Sequence, residues 1–403
     1  MRYNEPLMKY ILLVPDGAAD EPRSDLDGKT PLEVARTPFL DSLAQNGLVG
    51  SVQVTPPDMY PGSDAANMAL LGYDPTRFYT GRGPIEAAAM QIPLDDKDVA
   101  FRCSLISTDG TTLLDYSAGH ITTEEARPLI ELANKKLCPP YLTLFPGVSY
   151  RHILRWKDGP TEVKTAPPHE SMGKLLADIL PVGDSDTKIR RFIEDSMNLL
   201  DDLPFNHKRR QEGKPPANTL WPWSPGRTPQ LPSFFKMRGM TGAVISAVDV
   251  VRGLGRLTGL EIVDVPGATG YFDTNYKGKA QYALDTLARH DFVWVHVESP
   301  DEAGHAGSLD EKIRAIENFD RYVVGGIVEG MKKRDDFRLL CAPDHKTPVS
   351  TRGHAVGPVP YLLYDSRKMI KGGGHLPYDE RGERDAKTRL PEGYRLIDDL
   401  FKD

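Results

Sequence analysis

Cysteine is scarce. Cys103, Cys138 and Cys341 are spread over 403 residues, too few and too scattered for a disulfide framework or a thiolate zinc site. That scarcity favours a reducing, cytoplasmic compartment. Long apolar runs are missing too. The best candidates, 10–14 and Phe292–Val297, are strand-length, far short of the roughly 20 residues that cross a bilayer. The first is also too short for a signal-peptide core and runs straight into Asp16, so transmembrane and secreted readings are excluded. Positive charge is not in excess: 50 Lys+Arg against 57 Asp+Glu leave a formal net charge of −7, which gives no reason to expect nucleic acid or an anionic membrane as partner. No internal repeat and no low-complexity tract is detectable. What is present fits a soluble globular chain, with 39% hydrophobic and 27% charged residues, and the length suggests two domains or one large domain with an insertion.

The N-terminal segment and the C-terminal third share one theme. Residues 9–14 read as a buried strand ending at Pro15-Asp16-Gly17. Pro61-Gly62-Ser63 then opens a short helix, with Ser63 as its N-cap and Gly72 as its stop. Phe292–Val297 reads as a strand broken at Ser299-Pro300-Asp301. A long helix with Ile313, Ile316, Val323, Ile327 and Met331 on one side follows, and Ser308 and Glu311 have capping-box spacing. Further strands at 337–342 and 360–364 end near Asp344-His345 and follow His354. Strands alternating with helices imply a mostly parallel α/β sheet between helices, and such sheets bind ligands at the carboxyl ends of their strands.

The middle differs. Strand-like pieces (99–106, 150–156) mix with helical ones (172–180, 188–199, 241–254), and a Pro-dense stretch at 204–232 containing Trp221-Pro222-Trp223 reads as an ordered irregular loop. We read 89–271 as a smaller α+β domain inserted between 1–88 and 272–403.

The polar residues at the strand ends are Asp16, Ser63, Asp301, His305, Asp344, His345 and His354. Carboxylate oxygen with imidazole nitrogen suits zinc, manganese or a similar divalent ion, and hard oxygen shifts the balance toward manganese. Seven such groups exceed one tetrahedral site and match two ions, which can stabilise the attacking and leaving oxygens of an in-line phosphoryl displacement. Singly each residue is weak, since an Asp after a strand is most often a turn residue and a Ser before a helix usually a cap. Asp301 and His305 are stronger, because their spacing lets both converge on one ion. Ser63 is the candidate nucleophile, needing activation by a metal and favoured by a helix N-terminus that welcomes phosphate. Asp64 and Asn67 either orient the site or are first-turn helix residues.

These residues sit in segments that resemble a known family. Leu13-Val14-Pro15-Asp16-Gly17, Pro61-Gly62-Ser63-Asp64-Ala65-Ala66-Asn67, Pro300-Asp301-Glu302-Ala303-Gly304-His305, and Pro343-Asp344-His345 followed by His354, look like the alkaline phosphatase superfamily. With Tyr79-Thr80-Gly81-Arg82-Gly83-Pro84, Asp115-Tyr116-Ser117-Ala118-Gly119-His120 and Val265-Pro266-Gly267-Ala268-Thr269-Gly270, the chain resembles the cofactor-independent phosphoglycerate mutases of the archaeal-type branch.

The resemblance implies an alkaline-phosphatase-like fold and two divalent ions, typically Mn2+ with Zn2+, Co2+ or Mg2+ as substitutes. One would be held by Asp16, Ser63, Asp344 and His345, the other by Asp301, His305 and His354. Ser63 would carry the phosphoryl group between 3-phosphoglycerate and 2-phosphoglycerate, with no 2,3-bisphosphoglycerate required, and the insertion would close over the substrate. The better-known bacterial branch has a Glu and then a His near its serine, where Asp64 and Asn67 stand here, and it has an arginine-rich substrate segment that is lacking here. Candidates for gripping the substrate are His120, Arg151, Arg82, Arg102, His152 and Lys277, with His120 also a candidate acid/base. A metal-dependent phosphatase or sulfatase, another phosphomutase of the superfamily, and a non-catalytic metal-binding sensor are the alternatives.

Overall fold

The structure is a computed structural model that describes residues 8–334, 336–370, 372 and 375–402. The chain forms two compact units. One comprises the segments up to Tyr79 and from Leu231 onward, and the other is Thr80–Gln230. The compact insertion is thus Thr80–Gln230 where the sequence suggested 89–271, and the reason is visible at 241–254. That segment is not one helix. It is a strand, Gly242–Ile245, followed by a helix, Asp249–Leu257, and the strand joins the large sheet of the first unit.

That sheet has eight strands: β1 (Lys9–Pro15), β2 (Leu48–Val52), β3 (Gly242–Ile245), β4 (Glu261–Ile262), β5 (Phe292–Val297), β6 (Phe337–Cys341), β7 (Val359–Asp365) and β8 (Arg389–Leu390). Their order is β4-β3-β5-β1-β6-β7-β2-β8. Every pairing is parallel except the two made by β7. The central strands β1, β5 and β6 are almost wholly apolar and buried along their length, as expected of strands covered on both faces. Their register aligns Pro15 with Val297 and Leu13 with Cys341, so the residues following all three strands emerge side by side. Among the described residues, no helix is long and apolar enough to cross a membrane.

The helices that carry candidate residues are α1 (Ser63–Leu70), α2 (Tyr276–Leu287), α3 (Ser299–Ala306), α4 (Leu309–Asn318) and α5 (Gly325–Met331). Between α4 and α5 the chain stays helical through a π-type turn, Phe319–Val324. There the Asp320 carboxylate accepts from the backbone N–H groups of Phe39 and Leu40. Ser308 precedes α4 but its side chain makes no capping hydrogen bond; Glu311 pairs with Arg314 instead, so the expected capping box is not formed.

The second unit has its own sheet and core. Strand Val99–Thr108 is flanked by Arg151–Trp156 and Thr219–Gly226, all antiparallel. Helices Thr123–Leu137 and Asp186–Leu200 supply much of the apolar cover, through Ile130, Ile189 and Phe192. The Pro-dense stretch is ordered but not a loop: it holds a helix, Pro204–Gln211, and the strand bearing Trp221 and Trp223, which are buried. That strand pairs on one side only, which is where a sheet tolerates proline. Of 172–180, only Leu176–Ile179 is helical.

A fully buried ion pair braces the first unit. Lys312 Nζ donates to Asp20 Oδ2 at 2.7 Å, to the Thr347 carbonyl at 2.7 Å and to the Ala19 carbonyl at 3.2 Å, and both side chains of the pair are inaccessible to solvent. Asp20 also accepts from Val349 N, and its own N–H donates to Glu380. Removing one partner of such a pair strands the other charge without solvent. Lys312→Met should therefore lower the unfolding free energy by roughly 3–5 kcal/mol, and adding Asp20→Leu should recover part of it. Urea denaturation measures both; a single-variant loss below about 1 kcal/mol would mean that the pair behaves like a surface contact.

Candidate metal centre

The strand ends deliver their polar residues to one place because each strand stops abruptly. After β1, Gly17 turns the chain with φ +59°, and a Cβ there would lie 2.5 Å from Asp301 Oδ1. Asp16 is left fully buried at the sheet edge. Its N–H continues the ladder to the Val297 carbonyl, so its carboxylate stands beside the chain leaving β5. After β6, Asp344 accepts from Gly17 N at 3.1 Å and from His345 N at 3.0 Å.

Ser63 is the first residue of α1, and Gly62, in extended conformation, takes the cap position expected of Ser63. The correction matters chemically. The serine hydroxyl is not used to cap its own helix; it lies 3.1 Å from His345 Nε2. One turn on, Asn67 Nδ2 donates to the Ser63 carbonyl and to Asp344 Oδ2, at 2.9 and 2.7 Å, so Asn67 contacts a candidate ligand. Asp64 points elsewhere and accepts from the Tyr79 hydroxyl.

On α3, Asp301 and His305 share a face at i,i+4 spacing, with His305 Nε2 3.2 Å from Asp301 Oδ2. His354 Nε2 lies 3.1 Å from His305 Nε2 and 3.5 Å from Asp301 Oδ1. The Arg352 carbonyl faces the other ring nitrogen of His305. His345 Nε2 is 3.4 Å from Asp16 Oδ1 and 3.5 Å from Asp344 Oδ2, and the rings of His345 and His354 lie tilted with centroids 4.0 Å apart. All seven residues singled out in the sequence therefore gather in one cluster.

Two neighbours were missed. His296 lies inside β5, with Nε2 3.1 Å from Asp16 Oδ2, and Glu298 follows that strand with an oxygen 3.9 Å from His296 Nδ1. The only signal was a lone polar residue in the run Phe-Val-Trp-Val-His-Val. Behind them Lys279, buried on α2, donates to the His296 carbonyl at 2.8 Å. Lys277 is the exposed lysine of that helix, with Nζ 5.0 Å from the Tyr322 ring.

The donor set fits divalent cations. Both oxygens of Asp16 and Nε2 of His296 are buried without a hydrogen-bond partner among the described residues, and an unpaired buried carboxylate is costly unless a cation or proton compensates it. Three ligand-atom groups lie close enough to share an ion: Asp301, His345 and His354; Asp16, Asp344 and His345; and Asp16, His296 and Glu298. In the third, the Lys279 ammonium already acts on Glu298.

Without cations the cluster is electrostatically strained. Burial, then Asp344, Asp301 and Glu298, push the Asp16 carboxyl well up. Burial and Asp301 push Glu298 up to about 8. Burial alone would lower His305, but the Asp301 carboxylate outweighs it and raises the imidazole to about 10. Burial lowers His345 to about 4 against the pull of Asp344.

The second unit holds the other candidates. Arg82 and Arg102 both bind the buried Glu86 carboxylate, and both guanidiniums lie 5.7 Å from the Trp223 ring. Burial pushes Glu86 up, but Arg102, Arg82 and, more weakly, Arg151 hold its carboxyl below the usual range. Gly83 lets the helix Arg82–Ala89 touch the strand, since a Cβ there would meet the Ala100 carbonyl at 2.1 Å. His120 is exposed, at φ +50°. His152 is fully buried and accepts from Gly147 N. His169, which the sequence reading did not single out, bridges the rings of Tyr116 and Trp223.

The shifts fix a pH dependence for the metal-free chain. Glu298 holds a proton in the fold up to about 8 that it loses near 4.5 when unfolded, and His305 holds one up to about 10 against an ordinary 6.5. Each contributes stability that is full below its unfolded value and lost as pH rises through its folded one. Thermal unfolding of the metal-free chain should therefore shift downward from about pH 6 to pH 10. Glu298→Gln should flatten the lower part of that slope, and added manganese should suppress it. A flat profile in chelator would contradict the crowding described above.

Comparison with known proteins agrees with this geometry. A family model described as 2,3-bisphosphoglycerate-independent phosphoglycerate mutase matches residues 44–206. A curated protein of Geobacter sulfurreducens, named a probable 2,3-bisphosphoglycerate-independent phosphoglycerate mutase, is 45% identical, covering 97% of this chain and 99% of its own. A solved structure from Pyrococcus horikoshii has a TM-score of 0.79 at 28% identity, covering 98% of this chain and 97% of its own. The cofactor-independent phosphoglycerate mutase of Thermoplasma acidophilum has a TM-score of 0.60 at 28% identity, over 98% and 99%.

Proposed function

The chain belongs to the 2,3-bisphosphoglycerate-independent phosphoglycerate mutase family, and we propose that it interconverts 3-phosphoglycerate and 2-phosphoglycerate through a phosphoserine on Ser63. The observation that carries this reading is the position of the Ser63 hydroxyl: it opens a helix, is not spent on capping, and faces the cluster of buried carboxylates and imidazoles. Asp16, Ser63, Asp344 and His345 would hold one divalent cation, and Asp301, His305 and His354 the other. Carboxylate oxygen mixed with imidazole supports manganese as the ion. Bound there, the cations supply Lewis-acid stabilisation of charge on the attacking and leaving oxygens.

The chain's own groups do the rest. Ser63 Oγ attacks phosphorus in line, the bond to the substrate hydroxyl oxygen breaks, and glycerate is released beside the phosphoserine. Glycerate turns, its other hydroxyl attacks phosphorus, and Ser63 is freed. The positive end of the α1 dipole favours phosphate on that oxygen. Arg82, Arg102, Arg151 and Lys277 supply positive charge for the carboxylate, and His120 moves the proton of the glycerate hydroxyls. The pairing of Arg82 and Arg102 on one buried carboxylate, Glu86, supports a shared anion-binding role for these arginines, and with it a substrate-closing role for the second unit, which keeps water from the phosphoserine. Scarce cysteine supports a cytoplasmic setting.

An enolase-coupled assay with manganese and no 2,3-bisphosphoglycerate should show turnover. Ser63→Ala should lower it by roughly 10³-fold or more while far-UV circular dichroism stays unchanged. Release of free phosphate in place of isomer would make the chain a phosphatase, and near-normal isomerisation by the alanine variant would exclude the covalent route.

A further inference from the structure

Thr347 is fully buried two residues beyond His345, and every polar atom it has is engaged. Its N–H donates to the Ala19 carbonyl at 3.1 Å, and its carbonyl accepts from Lys312 Nζ at 2.7 Å. Its hydroxyl sits between Asp301 Oδ1 and His345 Nδ1, the latter at 3.1 Å. Two glycines from different segments make room for it. A Cβ on Gly17 would lie 2.5 Å from Thr347 Oγ1, and one on Gly304 would lie 2.4 Å from the Thr347 carbonyl.

The hydroxyl has one proton to give and two neighbours that could take it. An ionised carboxylate only accepts, so the Thr347 proton goes to Asp301. The oxygen then offers His345 Nδ1 a lone pair, and two lone pairs repel. Nδ1 must therefore carry the proton, and in the neutral ring Nε2 is left bare. That nitrogen faces Ser63 Oγ at 3.1 Å and Asp16 Oδ1 at 3.4 Å. We propose that Thr347 is a positioning residue that locks His345 in its Nδ1–H tautomer while orienting Asp301, so that one hydroxyl sets a ligand of each proposed cation. The inference rests on the cation-binding reading given above.

The tautomer is directly measurable. In the metal-free wild-type chain labelled with 15N-histidine, long-range proton–nitrogen correlation should show His345 protonated at Nδ1, the signal being assigned by its loss in His345→Asn. Protonation at Nε2 in the neutral ring would overturn the proposal, whatever any variant does. Competition against a fluorescent chelator gives the second readout. Thr347→Val keeps the shape and removes the hydroxyl, and it should weaken manganese binding by about 10- to 100-fold, with Thr347→Ser restoring most of the affinity. A valine variant that binds as tightly as wild type would overturn the proposal. A wild-type chain that binds no cation would overturn the reading beneath it, while the tautomer measurement would still decide the role of Thr347.

Discussion

Four carboxylates crowd the end of the central sheet. Asp16, Asp301, Asp344 and Glu298 repel one another in a place where burial already disfavours charge. In the sheet beneath, β1, β5 and β6 are almost wholly apolar, and His296 is the side chain of β5 that faces Asp16. Such a cluster persists only with counter-charge. Imidazoles supply part of it, and the geometry leaves Asp16 without a hydrogen bond on either oxygen among the described residues. An attraction for positive charge, whether protons or cations, thus follows from the fold's electrostatics.

The sheet creates this crowding by register. Three parallel strands that end level with one another place Asp16 beside the segments that follow Val297 and Cys341. Loops between parallel strands need helical crossovers, so residues adjacent in space come from Asp16, Ser63, Asp301 and Asp344, far apart in the chain. Ligand sites at the carboxyl ends of strands follow from that topology.

The same topology explains what the sequence made legible. Asp16 and Asp344 follow strands, Ser63 and Asp301 open helices, and His305 and His354 each follow a glycine; those local signals survive folding. His296 was hidden because it stands within an apolar strand, where one polar residue reads as noise. Thr347 was hidden because its role depends on contacts with Asp301 and Gly17, neither near it in sequence. The segment 241–254 misled for another reason: a short buried strand and a buried helix look alike by periodicity, and the strands flanking Gly242–Ile245 are supplied by 261–262 and 292–297. In the Pro-dense stretch, which read as an irregular loop, Pro222 and Pro225 sit in a strand that pairs on one side only among the described residues.

Counter-charge in the first unit comes in two kinds. Lys312 and Lys279 are covalently fixed and buried. Lys312 is lowered by burial but supported by Asp20, Glu380 and Asp301, and Lys279 is lowered to about 8 by burial with Glu298 opposing. Both ammonium groups bind main-chain carbonyls behind the ligands, those of His296, Ala19 and Thr347. A lysine ammonium has only protons to offer and cannot take up a lone pair directly. A divalent ion can, because it accepts lone pairs from both kinds of ligand. The fixed ammonium groups hold the backbone of the ligand loops in place, and the lone pairs at the front remain for exchangeable cations.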